Sequence, residues 1–274
     1  MVCVIGIDIG SAFSKGIIIC DQKIMGSYAI PSGRNYELTS VRIQKKLLLK
    51  AGLSSKDINY TVATGYGAKT VTFADTTVTD IFSHSKGIFH LFPEVRTVVD
   101  VGDLYSKVFR IDGNGNLLKF LLSGKCAGGS GRILQVIAKV LQLKLEDLGP
   151  LSLKSKKRVD FNTGCAVFAE SEAISRVAEG VAKEDLLSGI HMALAAQVNS
   201  LAERLSIERE VALVGGGARN VGLVKAMEEI RDYGIIVPQE PHMTAALGAA
   251  IRANEISKAP LSTPTLILPR PLGA

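Results

Sequence analysis

The chain opens with a short apolar run, MVCVIGIDIG (1–10), that ends on Asp8, Ile9 and Gly10. A turn through Ser11–Phe13 leads into a second apolar run, GIIIC (16–20). Runs rich in β-branched residues on either side of a glycine-containing turn predict strand, tight turn, strand. DQKIMGSYAI (21–30) adds a further turn and strand. The spacing then becomes helical in VRIQKKLLLKAGL (41–53), with Gly52 near the predicted end. NYTVATGYG (59–67) reads as a buried strand entering a turn, and SHSKGIFHLFP (83–93) as a short helix stopped before Pro93. Three further helices are predicted at RILQVIAKVLQL (132–143), AVFAESEAISRVAEG (166–180) and LLSGIHMALAAQVNSLAERL (186–205). VALVGGGARNVGLVKAMEEI (211–230) is strand, glycine turn, helix, and TAALGAAIRANEI (244–256) is a closing helix of small residues.

The pattern repeats. GIDIGSAFSKGIII (6–19) aligns with VVDVGDLYSKVFRI (98–111), so that Asp8 meets Asp100, Gly10 meets Gly102, Ser14 meets Ser106 and Lys15 meets Lys107. Each copy continues into another turn and strand, the second through DGNGNLLKFLL (112–122). Two such units predict two related α/β domains, 1–96 and 97–256. The closing helix 244–256 is placed to pack back on the first, and a Pro-rich tail, 257–274, follows.

Composition narrows the class without changing this picture. With 274 residues, frequent glycine, few aromatics and no Trp, the composition is that of a soluble globular protein. No apolar run approaches the roughly 18 residues that span a bilayer, and the N-terminus lacks the basic leader of a signal peptide. No membrane partner is expected. Four scattered cysteines imply no disulfide framework, so a reducing cytoplasm is the expected location. The net charge of +6 is dispersed, apart from KSKKR (154–158). No aromatic stacking pattern accompanies that cluster, and nucleic acid is not an expected partner.

An Asp-bearing strand that ends in a glycine turn suits nucleotide phosphate, because glycine lets backbone N–H groups approach the oxygens. In the first copy the candidates are Gly10, Ser11, Ala12, Phe13, Ser14 and Lys15, the hydroxyls and the ammonium adding donors. In the second they are Gly102 and Asp103. Asp8 and Asp100 are the candidate catalytic residues, orienting Mg²⁺, generally through water, or the attacking water. VGGGARN supplies a third turn, with Gly215, Gly216, Gly217 and Asn220 leading into a helix N-terminus. There is neither a Walker A loop nor a dinucleotide-binding fingerprint.

Cys126, in KCAGGSGR (125–132), and Cys165, in TGCAVFAESE (163–172), both precede predicted helix starts, where unpaired N–H groups favour thiolate and an anionic metal–sulfur cluster. The residues alone leave two readings open, buried structural thiols or metal ligands. Two thiolates do not complete a four-coordinate set, whereas a symmetric dimer would supply four. Cys3 and Cys20, in apolar strands, read as small core hydrophobes.

These motifs, with ATGYG (63–67), GIH (189–191) and ALGAA (246–250), resemble the BadF/BadG/BcrA/BcrD ATPases of the acetate and sugar kinase, Hsp70 and actin superfamily. The resemblance covers about 4–256. It implies two duplicated ribonuclease-H-like, actin-like ATPase domains with ATP and Mg²⁺ in a cleft between them. It also implies a [4Fe-4S] cluster held between two homologous subunits by Cys126 and Cys165, and ATP-driven transfer of a low-potential electron from ferredoxin or flavodoxin to an acyl-CoA reductase or dehydratase. Dedicated activators in the family carry Gly-Gln-Asp after the second turn. Asp103, Leu104 and Tyr105 stand there in this chain, which points to the delta-type subunit of benzoyl-CoA reductase, with a homodimeric dehydratase activator as the alternative. A small-molecule kinase of the same fold is the alternative of another class.

Overall fold

The computed structural model describes residues 1–124, 129–161, 166–231 and 234–257, without the side chains of Ala166 and Val167. The chain folds into two compact units. The first comprises Met1–Val95, Ile111–Leu117 and Met243–Ser257; the second comprises Arg96–Arg110 and Leu118–His242, each within the described residues.

In the first unit, β1 (Cys3–Ile9), β2 (Phe13–Cys20) and β3 (Lys23–Pro31) form an antiparallel meander. β4 (Ile58–Thr64) and the short β5 (Thr76–Thr77) add in parallel, giving the order β3-β2-β1-β4-β5. β1 is buried along its whole length. Its two faces go to separate cores, because alternate side chains point to opposite sides of a sheet. Cys3, Ile5, Ile7 and Ile9 pack with Ile43 and Leu47 of α1 (Tyr36–Ala51), whereas Val4 packs with Ala246, Leu247 and Ala250 of α8 (Thr244–Ile256). α8 also crosses α2 (Asp80–Leu91) closely: a Cβ on Gly248 would lie 1.7 Å from the Ser83 carbonyl oxygen. The small residues of the closing helix are thus the condition for its seat on β1 and α2.

Helices α1 and α2 begin before their apolar periodicity does. Asn35 caps α1 by accepting from the Leu38 amide, and Thr79 caps α2 by accepting from Phe82. An N-cap side chain satisfies an orphan helix donor and moves the start upstream of the first core residue.

The second unit repeats the first. β6 (Thr97–Val101), β7 (Ser106–Ile111) and β8 (Leu117–Leu122) form the meander, and β9 (Val211–Val214) adds to β6 in parallel. A parallel bridge from Ala212 to Ile236 stands where β5 stands in the first sheet. One core joins this sheet to α3 (Arg132–Val140), α4 (Leu148–Ser152), α5 (Ala166–Ala178), α6 (Lys183–Leu205) and α7 (Val221–Arg231). The basic KSKKR segment is fastened to α6, since Asp185 Oδ1 accepts from Ser155 and from the Lys156 and Lys157 amides. Those bonds, the Lys157 amide first, hold the Asp185 carboxyl below the usual range.

One expectation is corrected. Cys3 and Cys20 are core residues, 0 % and 4 % exposed, yet their sulfurs are bonded to each other. The antiparallel register places the two directly opposite, with Cα atoms 4.1 Å apart. Sequence spacing alone does not reveal that register.

Candidate functional site

Each unit builds a glycine turn on the same plan. In the first, the β1–β2 register sets Asp8 opposite Lys15, and Lys15 Nζ donates to Asp8 Oδ2 at 2.7 Å. In the second, Asp100 faces Lys107, with Nζ to Oδ2 at 2.8 Å. Both carboxylates are buried, Asp8 to 5 % and Asp100 to 2 % exposure. Each buried carboxylate thus has an ammonium partner within hydrogen-bond distance, without which its burial would be costly. Lys15, expected to face phosphate, thus holds Asp8. Gly10 and Gly102 close the turns: a Cβ would come within 2.5 Å of the Phe13 carbonyl oxygen and 2.9 Å of that of Tyr105.

The other candidates of the first turn divide by environment. Ser14 is fully buried and its hydroxyl bonds Ser32 Oγ at 2.7 Å, so it braces the turn from behind. Ser32 donates to the Gly10 carbonyl through its hydroxyl and to the Ala12 carbonyl through its amide. Ser11 and Ala12 are partly buried, and Phe13 is 45 % exposed.

The repeat reaches further than the Asp–Gly turns. The segment after β4, TGYGAKT (64–70), matches that after β9, VGGGARN (214–220). Asp8 pairs across the sheet with Thr64, as Asp100 does with Val214. Gly65 has φ +89°, and a Cβ there would sit 2.2 Å from Asp8 Oδ1; Gly215 has φ +84° and the same 2.2 Å to Asp100 Oδ1. Only glycine combines that backbone conformation with so close an approach. Short 3-10 turns follow at Ala68–Thr70 and Gly217–Arg219. Gly65, Tyr66 and Gly67 are therefore structural counterparts of Gly215, Gly216 and Gly217, missed as candidates although the shared G-x-G-A-[K/R] is legible in the sequence. Tyr66 is 64 % exposed and stands edge-on to Tyr36. Gly216 faces open space, whereas Gly217 abuts Val101. Asn220 caps α7 by accepting from the Leu223 amide at 3.1 Å.

Asp103 does not present its carboxylate to solvent. Arg132 donates to Oδ2 at 2.6 Å and Gln135 to Oδ1 at 2.8 Å, both from α3. Cys126 and Cys165 lie outside the described residues. The helices behind them are described: α3 starts at Arg132, α5 starts directly after Cys165, and the two pack on each other. Glu172 pairs with Arg176 on α5 at 3.5 Å, and Glu170 is exposed. His242 lies 3.4 Å from Glu240. His191 is 1 % exposed, wedged beside Ser152 and Gly222, and neither ring nitrogen is hydrogen-bonded; burial lowers its pKa to about 4.

A cavity of about 420 Å³ opens beside the third turn, lined by Ala218, Arg219, Val221, Glu228 and the 234–241 segment. Among the described residues no cluster of three His, Cys, Asp or Glu side chains is set to hold a metal ion. Nor is any described helix long and apolar enough to cross a membrane.

Paired Asp–Lys glycine turns on two repeats of a five-element sheet plan define an actin-like ATPase fold, built from two ribonuclease-H-like units. The comparisons with known proteins narrow the class. The profile of the BadF/BadG/BcrA/BcrD ATPase family matches residues 5–253, and the chain belongs to that family. The 2-hydroxyisocaproyl-CoA dehydratase activator of Clostridioides difficile is 42 % identical over 92 % of this chain and 95 % of its own length. The solved structure of the Clostridium difficile activator of that dehydratase, with bound ADPNP, superposes with a TM-score of 0.89 at 40 % identity, covering 93 % of this chain and 96 % of its own. A benzoyl-CoA reductase subunit of Thauera aromatica is more distant, 32 % identical over 75 % of this chain and 74 % of its own length. These identities correct the preference drawn from Asp103–Tyr105: the relatives favour the dehydratase-activator alternative over the reductase subunit.

Proposed function

We propose that the chain is an ATP-dependent activator of a 2-hydroxyacyl-CoA dehydratase, passing a low-potential electron through a [4Fe-4S] cluster shared by two copies. The observation that carries this reading is the packing of α3 on α5, the two helices that begin behind Cys126 and Cys165. Each of these helix N-termini would offer a positive dipole end to an anionic cluster. Two thiols per chain fit half of its ligand set, so a second copy would complete it. β8, the edge strand of its sheet, supports such a contact by exposing Leu118, Phe120 and Leu122, and α5 exposes Phe168, Ile174 and Val177. Exposed apolar side chains clustered along an edge mark interaction surfaces. The cluster would supply one-electron chemistry at low potential.

The turns fit nucleotide phosphate. Gly10 and Gly102 let their turns close tightly, Gly216 leaves open space where phosphate oxygens would approach, and Asp8 and Asp100 are paired with Lys15 and Lys107. With each carboxylate held by its own lysine, Mg²⁺ would be retained by the nucleotide and water rather than bound directly by either aspartate. The turn at Gly65–Gly67 belongs to the same machinery by its equivalence to Gly215–Gly217. A cytoplasmic protein reduced by ferredoxin or flavodoxin is the setting this implies.

The test is reconstitution under anaerobic conditions with ATP, reduced ferredoxin and a 2-hydroxyacyl-CoA dehydratase. Formation of enoyl-CoA that stops with Asp100→Asn supports the assignment. ATP turnover coupled only to an aromatic acyl-CoA reductase refutes it in favour of the reductase reading.

A further inference from the structure

The second glycine turn is fastened to the first turns of α3 through both backbone and side chains. The Gly131 amide donates to the Gly102 carbonyl at 2.8 Å, and the Ser130 hydroxyl donates to the Asp103 carbonyl at 2.7 Å. Arg132 and Gln135 take the two carboxylate oxygens of Asp103 at 2.6 and 2.8 Å. The Asp103 side chain is only 9 % exposed, so this charge-assisted pair is shielded on one side. The backbones also meet closely, a Cβ on Gly131 lying 3.2 Å from the Gly102 oxygen. In the first unit Ser11 stands at the position of Asp103, and the link from behind is the Ser32 hydroxyl on the Gly10 carbonyl. The carboxylate latch thus belongs to the second repeat, the one whose next helix follows Cys126.

We infer that Asp103 is a positioning residue: through Arg132 and Gln135 it joins the Gly102 turn and the start of α3 into one rigid piece, so that nucleotide at the turn displaces the helix behind Cys126. This rests on reading the Gly102 turn as a phosphate site. Coupling between sites requires a contiguous element that both bias, and these bonds supply one. Asp103 occupies the position as an anchor for α3, which accounts for a carboxylate beside an anion site where phosphate binding alone would disfavour it.

Hydrogen–deuterium exchange on the full chain, purified anaerobically, tests this with a non-hydrolysable ATP analogue as the probe. In the native chain the analogue should slow amide exchange in residues 131–141 by about five-fold or more. The double variant Arg132→Gln/Gln135→Leu should bind the analogue within about two-fold of native, by calorimetry, and lose that protection. Arg132→Lys, which keeps the charge, should restore most of it. Melting curves establish folding, and the single variants Arg132→Gln and Gln135→Ala carry the same test should the double variant not fold. A double variant with native protection at α3 overturns the inference. Native chain that binds the analogue without responding at α3 also overturns it, leaving the phosphate site standing. Native chain that binds no nucleotide overturns both.

Discussion

Replacing His191 by leucine tests the packing behind the third turn through its pH dependence. His191 is 1 % exposed, with neither ring nitrogen hydrogen-bonded, and burial depresses its pKa from 6.5 to about 4. The folded state therefore holds the ring neutral while the unfolded chain takes up a proton as pH falls through 6.5. Because the unfolded state binds more protons between those two values, stability rises with pH across that window and is lost as pH falls. A difference of ~2.5 units at 1.36 kcal/mol each makes the full loss roughly 3 kcal/mol. Leucine fills a similar volume, removes two orphan polar atoms and does not titrate. At pH 7.5 His191→Leu should be as stable as the native chain, or more stable by about 1 kcal/mol. By pH 4.5 its advantage should have grown by about 2 kcal/mol. Urea unfolding followed by circular dichroism at several pH values reads this directly. His90, whose pKa burial also lowers, titrates alike in both proteins and cancels from the difference. A gap between the two proteins that stays constant from pH 7.5 to 4.5 would refute the reasoning.

Lys107→Met leaves Asp100 buried without its ammonium partner, which lies at 2.8 Å, and should cost about 3–5 kcal/mol in urea unfolding. Unchanged stability would show that Asp100 is not held by that pair. Gly65→Ala puts a methyl 2.2 Å from Asp8 Oδ1 at φ +89°, and should destabilise the chain by more than the ~1–3 kcal/mol of backbone strain alone while abolishing nucleotide binding. Wild-type affinity by calorimetry would remove this turn from the site. The Cys3–Cys20 bond closes a separation of 17 residues, so reduction should lower stability by about 3 kcal/mol. After iron removal, thiol titration of the unreduced, denatured chain should give two of the four cysteines as free; four would contradict the bond.

The fold is legible where the chain repeats itself. The alignment of Asp8 with Asp100 and Lys15 with Lys107 carries register as well as motif, because both lysines fall directly opposite their aspartates in the sheets. What pattern alone leaves out depends on contacts between distant residues. Asn35 and Thr79 lengthen α1 and α2 beyond their apolar periodicity, since capping is side-chain chemistry rather than spacing. The disulfide follows from β1–β2 register. The Gly65–Gly67 turn is visible as a motif but its role is not, although that of its partner VGGG is; the equivalence lies in their common distance to an aspartate. Asp103 reads as a nucleotide contact because it follows Gly102, and only the position of α3 shows where its carboxylate goes.

The proposed function requires two thiols per chain to grip one inorganic cofactor with those of a second copy. Iron and acid-labile sulfide measured on the anaerobically purified chain, alongside its mass in solution, test that most directly. The expected result is a dimer with about two iron atoms per chain, reduced to none by Cys126→Ser or Cys165→Ser while ATP binding survives. A folded, nucleotide-binding chain with no iron, or iron unaffected by both substitutions, would contradict it.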